Sequence, residues 1–231
     1  MSIFGSPATS FTSVFSGGAG TLASSALNTA IGDFIVACVF GSGLTGGTTI
    51  SLADLAGNTY TARPFLPDAG GGQGFRWFYC IATAAHASNV ITATFSAGTV
   101  VALGICKFPI TGGTPAFDVD TGIQLNTNVT NPAVSPAFNA TGADEVILAV
   151  LADGGTEPTF TAGTGYTLVN SSGLSFPRQR MEYGVFASPG SGVSASFPFT
   201  GSGVANSVTA IAFKAAGGGG AAAAPVVCIM Q

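Results

Sequence analysis

Apolar residues along this chain fall into short runs of two kinds. In NVITATFS (89–96) and VSASFPF (193–199) they alternate with small polar residues, the period-two pattern of a strand with one face in a core and one in solvent. In DFIVACVF (33–40) and VILAVL (146–151) the apolar character is continuous. Such runs predict strands in the middle of a sheet, covered on each side or covered by a partner surface. The runs are rich in Val, Ile, Phe, Thr and Tyr and are separated by GSGLTGG, PDAGGGQG and TAGTG, which predicts strands joined by turns. No stretch in the body of the chain sustains an i, i+3, i+4, i+7 stripe over three turns, so helix is expected to be scarce.

The runs come twice in the same order. SSALNTAIGD (24–33) aligns on SPAFNATGAD (135–144) at a constant spacing of 111, Asp33 on Asp144, and GDFIVACVF (32–40) continues onto ADEVILAVL (143–151). NTYTARPF (58–65) then meets TGYTLVNS (164–171), and RWFYCIA (76–82) meets RMEYGVF (180–186). NVITATFS meets GVSASFPF (192–199), and VALGICKFPITGG (101–113) meets SVTAIAFKAAGGG (207–219) with Lys107 on Lys214. Five segments in one order, with loops of changing length, predict an internal duplication. The expected fold class is all-β: a β-sandwich or jelly-roll with internal pseudo-twofold symmetry and very little helix. The expected units are residues 1–112, residues 113–216 and a Gly/Ala-rich tail, 217–231. Because FDVDTGIQL (117–125) in the connection is itself strand-like, the two repeats are expected to form one compact unit, as two small sandwiches or as one jelly-roll of interleaved sheets.

Composition narrows the partners. Charged residues make up 7% of the 231 residues, against roughly 25% in ordinary domains. The formal charge is −4 and 47% of residues are hydrophobic, which opposes disorder. Arg63, Arg76, Lys107, Arg178, Arg180 and Lys214 are scattered, so no basic patch exists for nucleic acid. No apolar run reaches the roughly 18 residues of a membrane-spanning helix. The start, MSIFGSPATSF, has no basic residue and no signal-peptide core, so synthesis and assembly in a cytoplasm are expected. The end, AAGGGGAAAAPVVCIMQ, is apolar, and Pro225, Val226, Val227, Ile229 and Met230 are expected to pack on a neighbouring subunit.

Candidate chemistry is sparse. Cys38, Cys80, Cys106 and Cys228 lack metal or disulfide spacing, and the alignment sets Ala149, Gly184 and Phe213 opposite the first three, so buried free thiols are expected. His86, in ATAAHASN, has no acid nearby in sequence and suits a solvated loop. No GxSxG elbow occurs. A glycosidase pair would have to come from Glu145, Glu157 and Glu182. Phe34 lies opposite Glu145 and Phe78 opposite Glu182 in the alignment, so edge charges protecting a sheet are expected there. Asp118 and Asp120 point the same way on a strand but are too few for calcium. CIMQ matches a prenylation pattern without a polybasic segment. In GFRWFYC, aromatics at successive positions must occupy both faces, so Arg76, Trp77 and Tyr79 are candidates for a glycan platform, with core packing as the alternative. No cofactor or metal is expected.

The order GDFIVACVF, LADLAGNTYTA, RWFYCIATAA, NVITATFS, VALGICKFPITGG, ADEVILAVL, TFTAGTGYTLV and TAIAFKAA, over residues 24–216, resembles the Gly/Ala/Thr-rich β-sandwich domains of bacteriophage virion proteins and large bacterial surface proteins. The resemblance implies a structural or adhesive module without catalytic residues. The missing export signal favours the phage side. The expectation is a non-enzymatic virion component, a capsid decoration, head-fibre or tail protein, working by contacts with other virion proteins and with its own copies. A carbohydrate-binding or host-adhesion module acting on a cell-surface glycan is the alternative.

Overall fold

The computed structural model describes residues 2–15, 17–68, 72–126, 131–153, 159–169, 179–200 and 206–216, and every regular element among them is a β-strand. Ten strands, numbered in chain order, form the five-strand paths of two six-stranded central sheets, to which Leu66–Pro67 and Gln124–Asn126 add one short strand each. The ten are β1 (Ala8–Phe15), β2 (Phe34–Ser42), β3 (Thr61–Ala62), β4 (Gln73–Ile81), β5 (Val100–Phe108), β6 (Pro115–Asp120), β7 (Glu145–Asp153), β8 (Thr167–Leu168), β9 (Gln179–Phe186) and β10 (Asn206–Ala215). The first sheet has the spatial order β1-β5-β2-β4-β3 and the second β6-β10-β7-β9-β8, all pairs antiparallel. The second order is the first with each strand replaced by its counterpart five places on. Among the described residues no sheet draws strands from both sides of residues 109–114, so the sheets are not interleaved.

The continuous apolar runs are explained by what covers them. Phe34, Val36, Cys38 and Phe40 of β2, with Phe75, Trp77, Ala102, Cys106 and Phe108, form one core with Val146, Leu148, Val150 and Ala152 of β7 and with Met181, Ile211 and Phe213. This is the contact between the two central sheets, face to face. The other face of β2 (Ile35, Ala37, Val39) packs on an outer sheet of Gly20–Ala23, Ile91–Phe95 and Ile50–Asp54. The other face of β7 (Ile147, Ala149, Leu151) packs on Phe138, Phe160, Phe197 and Phe199 from short paired strands. Four layers result, and the two middle ones are buried on both faces. The apolar strand faces are therefore covered within the chain, not by a partner subunit.

Contacts across the middle pair β2 with β7, β5 with β9, and β4 with β10. Exchanging the halves turns the second contact into the third. Phe34 meets Phe213 at one end, with ring centroids 4.8 Å apart, and the Gln179 amide donates to the Phe40 and Val100 carbonyls at the other. The halves thus lie in the same direction. Close approach needs a small residue: a Cβ on Gly104 would come within 2.4 Å of Met181 Sδ.

The correspondence between the halves is one residue out of phase with the ungapped alignment. Phe34, Val36, Cys38 and Phe40 face the central core, as do Val146, Leu148, Val150 and Ala152, so Cys38 corresponds to Val150 and not to Ala149. Register agrees, since Cys38 pairs with Trp77 and Val150 with Met181. The turns agree as well. Gly32 and Asp144 both have positive φ (89° and 65°), and the residue after each takes an amide three places back, Ala30 N to Asp33 and Gly142 N to Glu145. A single-residue slip exchanges the two faces of a strand, so the aligned identity of Asp33 with Asp144 misassigns the pair. Asp33 corresponds to Glu145.

Trp77 is fully buried between the two sheets. Trp77→Ala is expected to cost about 3–5 kcal/mol in urea unfolding, as truncation of a large aromatic core residue does. A loss below about 1 kcal/mol would contradict the central core.

Candidate functional site

Many charged groups among the described residues are paired or hydrogen-bonded within the chain. Asp33 Oδ2 accepts from Lys107 Nζ at 2.7 Å and from Ala30 N, with both side chains nearly buried. Arg63 reaches from the first half to Asp120 of the second at 2.8 Å, with its guanidinium 3.9 Å from the centre of the Phe117 ring. Arg76 donates to the Arg63 and Ile50 carbonyls and Arg180 to the Gln179 carbonyl. Asp54 accepts from Asn58, Tyr60 and Asn89; although burial opposes it, these donors hold its carboxyl below the usual range. Asn58 in turn accepts from Thr83 N and Ala84 N, tying two loops together.

The densest cluster is on the outer face of the second central sheet. The register of β6 against β10 shifts between Phe117 and Val119, and at this bulge Asp118 turns toward Lys214. Lys214 Nζ stands 2.5 Å from Asp118 Oδ1 and donates to Thr141 Oγ1 at 2.9 Å. Thr141 donates to Asp118 through its amide and its hydroxyl, both at 2.9 Å. Glu145 lies beside Lys214 in the register of β7 and β10 and is wholly buried. Its Oε1 takes the Gly142 amide, and its buried Oε2 has no hydrogen-bond donor within range. Burial and the neighbouring Asp118 carboxylate push Glu145 up to about 7. Against burial, Lys214 and Thr141 hold Asp118 down to about 2. The arrangement sets the Asp118 carboxylate in contact with the Lys214 amine, with the Glu145 carboxyl beside it.

Glu182 is the second unusual acid. It occupies the place of Phe78, since Ala37 pairs with Phe78 and Ala149 with Glu182. It is fully buried, takes the Gly163 amide at 2.9 Å, and is pushed up to about 8 by desolvation. Tyr166 lies close enough for the Glu182 charge to raise its hydroxyl pKa further, after burial.

Several sequence expectations change. Trp77 is fully buried, and Tyr79 packs on Phe34, Phe213 and Phe117, so neither offers a face to a sugar and the Arg76, Trp77, Tyr79 platform is not formed. Glu145 and Glu182 are not edge charges but interior acids. Asp118 and Asp120 diverge at the bulge, one to Lys214 and one to Arg63. Cys38, Cys80 and Cys106 are buried free thiols. His86 is part-exposed, with its Nδ1 accepting the Ser88 amide. Glu157, Arg178, Cys228 and the tail residues Pro225, Val226, Val227, Ile229 and Met230 lie outside the described residues. Among the described residues no group of three His, Cys, Asp or Glu could hold a metal, and no helix is long and apolar enough to cross a membrane.

One end of the molecule is different in character. Ile31 (71% exposed), Leu55 (63%), Ile81 (40%) and Val185 (38%) are the exposed large hydrophobic residues among those described. Gly32 bonds Ala82, Leu55 N bonds the Val90 carbonyl, Ile81 pairs with Phe34 and Val185 with Val146. All four therefore lie where β2 and β7 begin. Two shallow depressions of about 400 and 450 Å³ open there, one lined by Ser2, Ala143, Asp144, Val185 and Ala187, the other by Asn139, Thr141, Gly142 and Ser188 among others. β10 also finishes at this end, where Ala215 N bonds Asp144.

Compared with known protein families, curated proteins and solved structures, the chain matches none of them.

Glu182 gives the pH dependence a sign. Its folded pKa, raised to about 8, lies above the roughly 4.3 of an unfolded Glu, so the folded state holds the extra proton between those values. Its contribution is fully present below about pH 4 and is lost as pH rises through 8. Wild type is expected to melt several degrees lower at pH 9 than at pH 5, and Glu182→Gln to remove most of that difference. A Glu182→Gln protein with the wild-type pH slope would contradict the assignment.

Proposed function

We propose that this chain is a non-enzymatic structural component that works through subunit contacts, in the setting of a tailed bacteriophage virion as a decoration, head-fibre or tail protein. The observation that carries the reading is the end face, where Ile31, Leu55, Ile81 and Val185 are exposed together on a protein whose strand faces are otherwise covered internally. Large apolar side chains left exposed at one end of the molecule suit a surface that another protein covers. The partner is a second copy or a fellow particle component, bound through apolar area and backbone contacts instead of charge. The placement of charges supports a non-enzymatic role: Lys107, Lys214 and Arg63 are in ion pairs within the fold, and Glu182 is sealed in an apolar core. The phage setting rests on the sequence resemblance. The two halves, sharing strand order and the Gly32/Asp144 turn, are accounted for by doubling of one sandwich.

The glycan alternative loses its best support with Trp77 in the core and Tyr79 partly buried against it. Ala216, the last described residue, lies at the same end as the exposed side chains, its amide bonded to the Thr114 carbonyl.

The wild-type chain is expected to self-associate or to bind particles in sedimentation, with little weakening by salt. The double variant Ile31→Asp, Leu55→Asp is expected to lose that association while its unfolding free energy changes by no more than about 0.5 kcal/mol per surface site. A folded double variant that associates as the wild type does would overturn the proposal.

A further inference from the structure

We propose that Lys214 and Asp118 join in an intramolecular isopeptide bond that the protein forms by itself, with Glu145 transferring the protons. The geometry is that of a reactant complex. The amine nitrogen stands 2.5 Å from Asp118 Oδ1, on neighbouring antiparallel strands, with the Asp118 carboxylate fixed by the Thr141 amide on Oδ2 and by the Thr141 hydroxyl on Oδ1. Glu145 is fully buried next to both, anchored by the Gly142 amide on one oxygen, while its other oxygen has no donor within range. A carboxyl group held this way, and pushed up to about 7, keeps a proton that the reaction can use.

The step balances without any outside reagent. Lys214 passes one proton to the Asp118 carboxylate within their hydrogen bond, which leaves a neutral amine facing a carboxylic acid. Nζ attacks Cγ of Asp118 and a C–N bond forms. Glu145 gives its proton to the departing oxygen and regains one shed by the attacking nitrogen and relayed through the Thr141 hydroxyl, which bonds both Lys214 and Asp118, so it ends as it began. The C–O bond breaks and one water leaves. Of the three ammonium hydrogens, two depart with the oxygen and one stays on the amide. Nothing is oxidised or reduced. Amide formation is unfavourable between free groups in water, but holding the two in contact on adjacent strands supplies the missing drive.

The molecule contains its own control. Lys107 and Asp33 are as close, at 2.7 Å, and more deeply buried, but Asp33 takes the Ala30 amide and no carboxylic acid is in hydrogen-bond contact with it among the described residues. That pair stays an ion pair. A bond from Asp118 to Lys214 would tie β6 to β10, closing a loop of 96 residues in the second half. Such a link restrains the unfolded chain as a disulfide does. It is also indifferent to reduction, in a protein whose described cysteines are all free.

The test is the intact mass of the folded full chain, followed by peptide mapping. The wild type is expected to be lighter than its sequence by one water, with the peptides carrying Asp118 and Lys214 joined. Glu145→Gln and Lys214→Ala are expected to keep the full mass, with β circular dichroism retained in at least one of them. A folded wild type of full mass overturns the proposal whatever the variants do. So does a water loss that maps to a cyclic imide at Asp153–Gly154 instead of to a cross-linked peptide. Cross-linking undiminished in Glu145→Gln overturns the role given to Glu145.

Discussion

Everything in this architecture depends on one requirement: a sheet that is apolar on both faces has to be covered on both. Val36, Cys38 and Phe40 on one side of β2, and Ile35, Ala37 and Val39 on the other, are all fully buried, and β7 has the same property. Each such side chain contributes about 1.5–3 kcal/mol when removed from water, so neither sheet is stable with a face open. Each half covers one face with its own outer strands. The remaining face is covered by the other half. The central core is therefore not an accessory contact between two finished domains but the completion of both.

Charge is the scarce resource of this chain, and its placement follows from that packing. Arg63 and Asp120 bridge the halves, Asp33 and Lys107 sit beneath the loop before β2, and Asp118, Glu145 and Lys214 sit beneath the corresponding loop before β7. An ion pair as buried as Asp33–Lys107 adds little net stability over apolar packing, but breaking it leaves a charge uncompensated, so it selects one arrangement over near alternatives. In the second half the arrangement carries an added acid, and with it an added chemical possibility. Glu182 is the costly exception. It replaces Phe78 of the first half in an otherwise apolar layer, and its proton is the means by which the layer tolerates it.

The strands and the scarcity of helix were legible because alternation and turn residues are local signals. DFIVACVF and VILAVL also announced that both faces would be covered, though not by what. What failed was phase. Asp33 aligned with Asp144 without a gap, yet a one-residue insertion before β7 makes Asp144 the counterpart of Gly32, because an aspartate tolerates positive φ better than most side chains. That slip hid the match of Asp33 with Glu145, and with it the acid cluster. The bulge at Asp118 was invisible for a related reason, since two-residue periodicity assumes an unbroken ladder. Trp77 and Tyr79 were ambiguous from sequence because an aromatic at every position leaves the buried face undetermined. The face is settled by Met181 and Phe213, more than a hundred positions away.

The most direct test of the central claim is native-state hydrogen exchange on the amides of β2, β5, β7 and β10. If the two middle sheets complete one another, amides in both halves exchange only through one global opening, with the same free energy and the same denaturant dependence. If the halves are independent, the two sets separate, one half exchanging through an opening that leaves the other fully protected, and the shared core described here would not be what holds the protein together.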